Sequence, residues 1–196
     1  MRIIAGEFRG FPLRAPKGEG TRPTIDRVRE SMMSSVNSTL GGFEGEVVLD
    51  AFAGSGALGL EAVSRGAQTA YFYDNSLEAV RVVTANAEKL GLDARRVRIV
   101  RGDVMKNPPK YAHPPFSLIL LDPPYVFEPR EVLQMVSGLR ERGVATAGAL
   151  VVYEHAAASA AAVDEALAVL GMQRAQRKKY GATMVDMIRF DGETQE

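Results

Sequence analysis

Cysteine is absent from the 196-residue chain. That absence excludes disulfide scaffolds, thiolate zinc sites, iron–sulfur clusters and cysteine nucleophiles together. Histidine is nearly as scarce: His113 and His155 are the two present, neither in a metal-ligand spacing. Both read as structural, and no metal is expected. A Ser/His/Asp constellation, a P-loop and a zinc pattern are also missing. No apolar run approaches the ~18 residues of a membrane span. The opening MRIIAGEFRG turns polar and basic too soon for a signal peptide. Gly (19) and Pro (10) stay well below a low-complexity content. The expectation is a soluble, cytoplasmic chain, 46% hydrophobic and 24% charged, forming one domain with at most a short appendage.

Net charge is lacking too, with 24 basic residues against 24 acidic ones. The distribution is uneven. Residues 1–30 hold seven cations (Arg2, Arg9, Arg14, Lys17, Arg22, Arg27, Arg29) against four anions (Glu7, Glu19, Asp26, Glu30). A second cluster is Arg174, Arg177, Lys178 and Lys179; a third, Arg95, Arg96, Arg98 and Arg101, is diluted by Asp93 and Asp103. Such patches can bind phosphate by releasing counterions, or simply solvate the surface.

Residues 47–190 alternate between strand and helix signals. VVLDAF (47–52) runs into the glycine-rich AGSGALG, and helical spacing through Leu58, Ala62 and Val63 stops at Gly66. AYFYD (70–74) is a second strand, and Ser76 caps a helix carrying Leu77, Val80, Val83, Ala87 and Leu90. VRIV (97–100) and SLILLD (117–122) are the next strands. A helix from about Pro129 to Arg142, the strand ALVVYE (149–154) and an alanine-rich helix from Ser159 to Leu170 follow. Short apolar strands separated by helices predict an α/β fold with a mostly parallel sheet. GMQRAQRKKY, a Gly-Ala turn and TMVDMIRF predict a closing antiparallel hairpin.

Residues 1–46 stand outside that rhythm and read as a basic N-terminal extension. They carry a weak hairpin signal at Gly10 and one helix capped by Thr24, with Ile25, Val28, Met32 and Val36 as its apolar face. At about 100° per residue, Arg29 falls on that apolar side. It either snorkels over the core or turns inward toward a site. The division expected is thus 1–46 extension, 47–190 catalytic domain and 191–196 frayed tail.

The chemistry concentrates in two segments. In the first, a strand ends in Asp50 and a glycine turn, Gly54-Ser55-Gly56, opens a helix, so backbone N–H groups can approach a ligand. Asp74 closes the second strand, twenty residues after Gly54, where a carboxylate can accept from both ribose hydroxyls. GSGALG also matches a dinucleotide loop. The spacing D-x-x-x-G-x-G favours S-adenosylmethionine, because Asp50 suits a methionine ammonium and would repel a pyrophosphate. The other reading is that Asp50 caps its own turn. Asp103, expected at the end of strand three, can meet an adenine amine or lie in a surface turn.

The second segment is Asp122-Pro123-Pro124-Tyr125. The prolines stiffen the backbone and lack N–H groups. They leave a row of acceptors, the Asp122 carboxylate and Pro123 carbonyl, beside an aromatic ring. That array can hold a planar exocyclic amine while Tyr125 stacks on its ring. Its lone pair is then aligned with a sulfonium methyl. Asp122 would take the released proton or only orient the amine.

The chain resembles the bacterial 16S ribosomal RNA guanine-N2 methyltransferases of the RsmD type. The matching segments are Arg2–Gly6, Thr21–Thr24 with Asp26–Glu30, Asp50–Ala62, Ser64–Ala67 and Asp122–Tyr125. The TRPT…DRVRE segment narrows the resemblance to this group. It implies a Rossmann-like, seven-stranded class I methyltransferase fold, S-adenosylmethionine as donor and S-adenosylhomocysteine as product. It implies one guanine of 16S rRNA, free or in an assembling small subunit, as acceptor; the enzyme is expected to be a monomer. Cofactor contacts are implied for Arg22, Thr24, Asp50, Phe52, Gly54, Ser55, Gly56, Asp74, Asn75, Asp103 and Val104. Catalysis falls to Asp122, Pro123, Pro124 and Tyr125, and RNA contact to Arg2, Arg9, Arg14 and Arg29 on a basic flap. Two departures stand out: Ser34 occupies a usual Asn place, and Asp74 stands where Glu is commoner.

Rival readings keep the loop but change the acceptor to adenine N6 in DNA or a glutamine amide in protein. DNA enzymes of that kind carry an added recognition domain, for which residues 1–46 leave little room. A nicotinamide oxidoreductase is disfavoured by Asp50 and the closing hairpin, and a silent RNA-binding relative by the intact DPPY.

Overall fold

The computed structural model describes residues 1–16 and 23–190, and of residues 23–26 the backbone alone. Arg22, and the tail expected to fray at 191–196, therefore lie outside the described residues. The chain packs as two units, Met1–Val104 and Met105–Glu196.

The first unit runs α1 (Pro23–Leu40), β1 (Val47–Asp50), α2 (Ala57–Ser64), β2 (Thr69–Asp74), α3 (Leu77–Lys89) and β3 (Val97–Arg101). Its strands are parallel in the order β3-β2-β1. All four residues of β1 are buried, as a strand covered on both faces requires. Ser76 caps α3 as expected, its hydroxyl accepting from Ala79 N–H at 3.3 Å. Glu78 and Lys89 complement the helix dipole at its two ends. α1 starts at Pro23, one residue before the Thr24 expected to cap it. Proline suits that first position because its missing N–H would find no partner there.

The N-terminal segment lies in this unit. It folds back on itself, with Arg2 bridged to Pro12, Ile3 N–H on Phe11 O at 3.0 Å and Gly10 N–H on Ile3 O at 2.8 Å. It is then clamped to α2. The fully buried Glu61 accepts from Ile4 and Ala5 N–H at 2.8 and 3.0 Å, and Ser64 Oγ accepts from Phe8 N–H at 3.0 Å. Gly6 permits the approach: at φ 84°, a Cβ there would sit 1.8 Å from Ser64 O.

The second unit runs β4 (Phe116–Leu121), α4 (Pro129–Glu141), β5 (Ala145–Ala156), a 3₁₀ turn at 157–159, α5 (Ala160–Leu170), β6 (Met172–Tyr180) and β7 (Thr183–Phe190). Its order is β4-β5-β7-β6; β4 and β5 are parallel, and β7 is antiparallel to both of its neighbours. The closing hairpin is as expected. Leu118, Ile119 and Leu120 are completely buried, each contributing about 1.5–3 kcal/mol by burial. The seven strands make the mixed sheet of an α/β fold.

Candidate active site

In the first unit the three strands end at one edge, each at or near an acid. Asp50, closing β1, is 2% exposed, and its Oδ2 accepts from Gly59 N–H at 2.9 Å. That bond draws the start of α2 against the strand. Only glycine allows it: a Cβ on Gly59 would lie 2.4 Å from the Phe72 ring and 3.1 Å from Asp50 Oδ2. Asp74, closing β2, grips the glycine turn. Its Oδ2 accepts from Gly54 N–H at 2.9 Å and its Oδ1 from Ser76 N–H at 2.8 Å. Each oxygen has a second lone pair for a hydroxyl. Asn75 beside it is exposed, and Phe52 is half-buried.

β3 stops at Arg101, so Asp103 does not end that strand. It lies in the following turn, half-buried, with Val104 buried behind it. Gly102 N–H donates to Asp74 O at 2.9 Å, which ties this turn to the Asp74 edge. Ser55 is buried, and its hydroxyl donates to Met1 Sδ at 3.4 Å. Asn86 of α3, fully buried, donates to Ser55 O and to Arg14 O, each at 3.0 Å. It also accepts from Arg14 N–H at 2.9 Å. One amide therefore joins the glycine turn to the N-terminal segment.

Arg2, Arg9 and Arg14 are exposed on that segment. Arg29 is not displayed there. It is 4% exposed, and its guanidinium donates to the Arg2 carbonyl, so the side chain is turned inward onto the N-terminal segment. The side chains of Arg22 and Thr24 lie outside the description. Two cavities of 380 and 550 Å³ open near the start of β2, lined by residues such as Gln68 and Arg96. They lie at the end of that strand opposite Asp74.

The second unit presents Asp122-Pro123-Pro124-Tyr125 directly after β4. Pro123 is buried and anchors the turn, whereas Asp122 and Pro124 are exposed. Phe127 N–H closes the turn on Pro124 O at 3.2 Å. Tyr125 and Val126 stand 70% and 79% exposed, a large apolar offering at a strand end. On β5, burial and the neighbouring Asp122 push the Glu154 carboxyl up to about 8. Burial, with Asp186 and Glu128, pushes the Tyr153 hydroxyl up to about 12.

His155 is buried and bonded within the sheet, Nδ1 to Ala156 O at 2.9 Å and Nε2 to Asp186 Oδ2 at 3.2 Å. That agrees with its structural reading. Burial opposes ionisation of Asp186, yet hydrogen bonds from Arg177 and His155 hold it below the ordinary carboxylate range. Among the described residues no group of His, Asp and Glu could hold a metal ion, and no helix is long and apolar enough to cross a membrane.

Sequence reasoning misses Glu61, Asn86 and Glu154. Glu154 had a signal: acids also follow or close β1, β2 and β4.

These features define the class. The fold is that of class I S-adenosylmethionine-dependent methyltransferases, shared with magnesium protoporphyrin IX methyltransferase of Synechocystis PCC 6803, solved with that donor bound. The two superpose with TM-score 0.65 at 17% identity, over 88% of this chain and 86% of that one. Residues 1–189 match the family described as Conserved hypothetical protein 95, and the chain belongs to it. Ribosomal RNA small subunit methyltransferase D of Haemophilus influenzae is 34% identical over 157 residues, 79% of this chain and 78% of that protein. The structure of yhhF from Escherichia coli superposes with TM-score 0.76 at 27% identity, covering 98% of this chain and 99% of that one.

Asp74 has acceptor capacity left for a pair of hydroxyls, and both the Gly54–Gly56 turn and the turn that carries Asp103 are bonded to it.

Proposed function

We propose that this protein transfers a methyl group from S-adenosylmethionine to the exocyclic N2 of a guanine in small-subunit ribosomal RNA. The observation that carries the reading is the exposed Asp122-Pro123-Pro124-Tyr125 turn at the end of β4, in a chain related to a small-subunit rRNA methyltransferase. When bound, S-adenosylmethionine supplies a methyl carbon made electrophilic by its sulfonium.

The chain's own residues do the rest. Asp74 would hold the ribose hydroxyls, Asp103 the adenine amine, and Gly54, Ser55 and Gly56 would line the donor with Phe52, Asn75 and Val104. Asp122 and the Pro123 carbonyl accept the two N–H bonds of the amine, and Tyr125 stacks on a base taken out of its helix. Orientation by two acceptors keeps the nitrogen pair in line with the methyl carbon. A strong base is unnecessary, because the nitrogen becomes acidic once methylated; Asp122 accepts that proton. Arg2, Arg9 and Arg14 contact RNA phosphates.

The test is transfer of labelled methyl from S-adenosylmethionine to unmodified small-subunit RNA, naked and protein-bound, followed by nucleoside analysis. Label in N2-methylguanosine is the expected result. Label in another nucleoside, or in DNA or protein only, overturns the acceptor.

A further inference from the structure

Glu154 lies near the end of β5, the strand beside β4, and the chemistry above leaves it unused. β4 and β5 run parallel, with Leu118 opposite Leu150, Leu120 opposite Val152 and Leu121 opposite Tyr153. Side chains alternate along strands. Carried one residue beyond its last pair, that register sets Asp122 beside Glu154 on the face shared by Leu120 and Val152, and Asp122 acts electrostatically on Glu154. Asp122 is exposed and Glu154 half-buried. Two carboxyl groups so placed resist ionising together, and the proton goes to the more buried one.

The described strands beside Glu154 place one cation on that face, Lys178, two strands away. Val185 of β7 stands opposite Glu154, and Lys178 of β6 opposite Val185. The neighbours of Glu154 along β5, Tyr153 and His155, alternate to the other face. There His155 and Arg177 are both bonded to Asp186. Glu128, preceding α4, acts on Tyr153.

We propose that Glu154 is a positioning residue for methyl transfer. It keeps a proton beside Asp122, so that the pair carries one negative charge, on the carboxylate that meets the amine. This rests on the reading of Asp122 as the amine's acceptor. The Glu154 carboxyl, raised to about 8 by burial and by Asp122, retains that proton at neutral pH. During transfer the nitrogen lone pair forms the N–C bond as the S–C bond breaks and its electrons stay on sulfur. The surplus proton on nitrogen passes to Asp122 and from there to water. Glu154, already neutral, does not compete for it. Once Glu154 ionises, a second charge displaces Asp122 by repulsion and opposes the RNA phosphates.

Two measurements test this. The first is a carbon-13 NMR titration of the glutamate-labelled protein, with the Glu154 signal assigned by its loss in Glu154→Gln. The expected midpoint is near 8, and in Asp122→Asn it falls toward the ordinary carboxylate range. The second is the pH profile of kcat/KM for RNA methylation. The wild type should fall above about 8 by about tenfold per pH unit. In Glu154→Gln that limb should be absent, raising the ratio of rates at pH ~9 and ~7 by about tenfold. An ordinary midpoint, or the same alkaline fall in both proteins, overturns the role of Glu154 while leaving the methyltransferase reading intact. Failure of the wild type to methylate RNA at any pH overturns that reading, and this role with it.

Discussion

Asp122 and Asp74 are both carboxylates at strand ends, yet their settings assign them opposite consequences. Asp122 stands exposed after a buried strand and before a buried proline, so its loss should disturb chemistry more than folding. Asp122→Ala is expected to lower kcat by about two to three orders of magnitude, as loss of one charge-orienting group does, with cofactor affinity by calorimetry unchanged. Asp74 is woven into the glycine turn through Gly54 and Ser76. Asp74→Ala should instead weaken S-adenosylmethionine binding by at least about tenfold, since each hydrogen bond to a charged group is worth ~1.5–3 kcal/mol. Equal donor affinity in the two variants would contradict this division of labour. Both residues were visible in the sequence, Asp122 from the prolines that follow it and Asp74 from closing a strand twenty residues after Gly54. The Glu154 pairing was not. It depends on a strand register between positions more than thirty residues apart in sequence, which no motif encodes.

At the scale of elements, periodicity located every helix and strand of residues 47–190, and the errors fell at ends. β5 reaches back to Ala145, because Ala145 pairs with Phe116; the small residues of ATAG carry no alternation of their own. The helix after the glycine turn and the closing hairpin were legible from glycine and capping chemistry. The clamp between the N-terminal segment and α2 and α3 was not, since Glu61 and Asn86 look like ordinary helix-surface polar residues until their partners arrive from afar. Asn86→Ala strands the Arg14 N–H and the carbonyls of Arg14 and Ser55. Each unmet buried group costs about 1–3 kcal/mol. The variant should unfold at lower urea and lose residues 1–16 to protease sooner than the wild type. An unchanged digestion rate would show that the amide does not hold the segment.

Over the whole molecule, two carboxyl groups bend the pH dependence of stability in opposite directions. Asp186, held low by Arg177 and His155, contributes stability above the ordinary carboxylate range that is lost as pH falls through its lowered value. Glu154, held high, keeps a proton that the unfolded chain releases at lower pH. Its contribution is lost as pH rises from the ordinary range to about 8. Urea midpoints should therefore decline between about pH 6 and 8 in the wild type and decline less in Glu154→Gln. With 24 charges of each sign, RNA affinity should depend on local cations rather than an overall field. Replacing Arg9 and Arg14 by Ala is expected to flatten the slope of log affinity against log salt by about 0.7 for each phosphate no longer neutralised.

β6 forms one border of the sheet, paired on one side with β7, and it carries Arg174, Arg177, Lys178 and Lys179 within nine residues. An open border is a template on which another copy could add a strand, and a row of cations is a means of refusing it. Arg174 and Arg177 are ion-paired with Asp164, so the exposed Lys179 carries part of that refusal. A chain with no net charge has little long-range repulsion against self-association, which leaves its colloidal behaviour to a single strand.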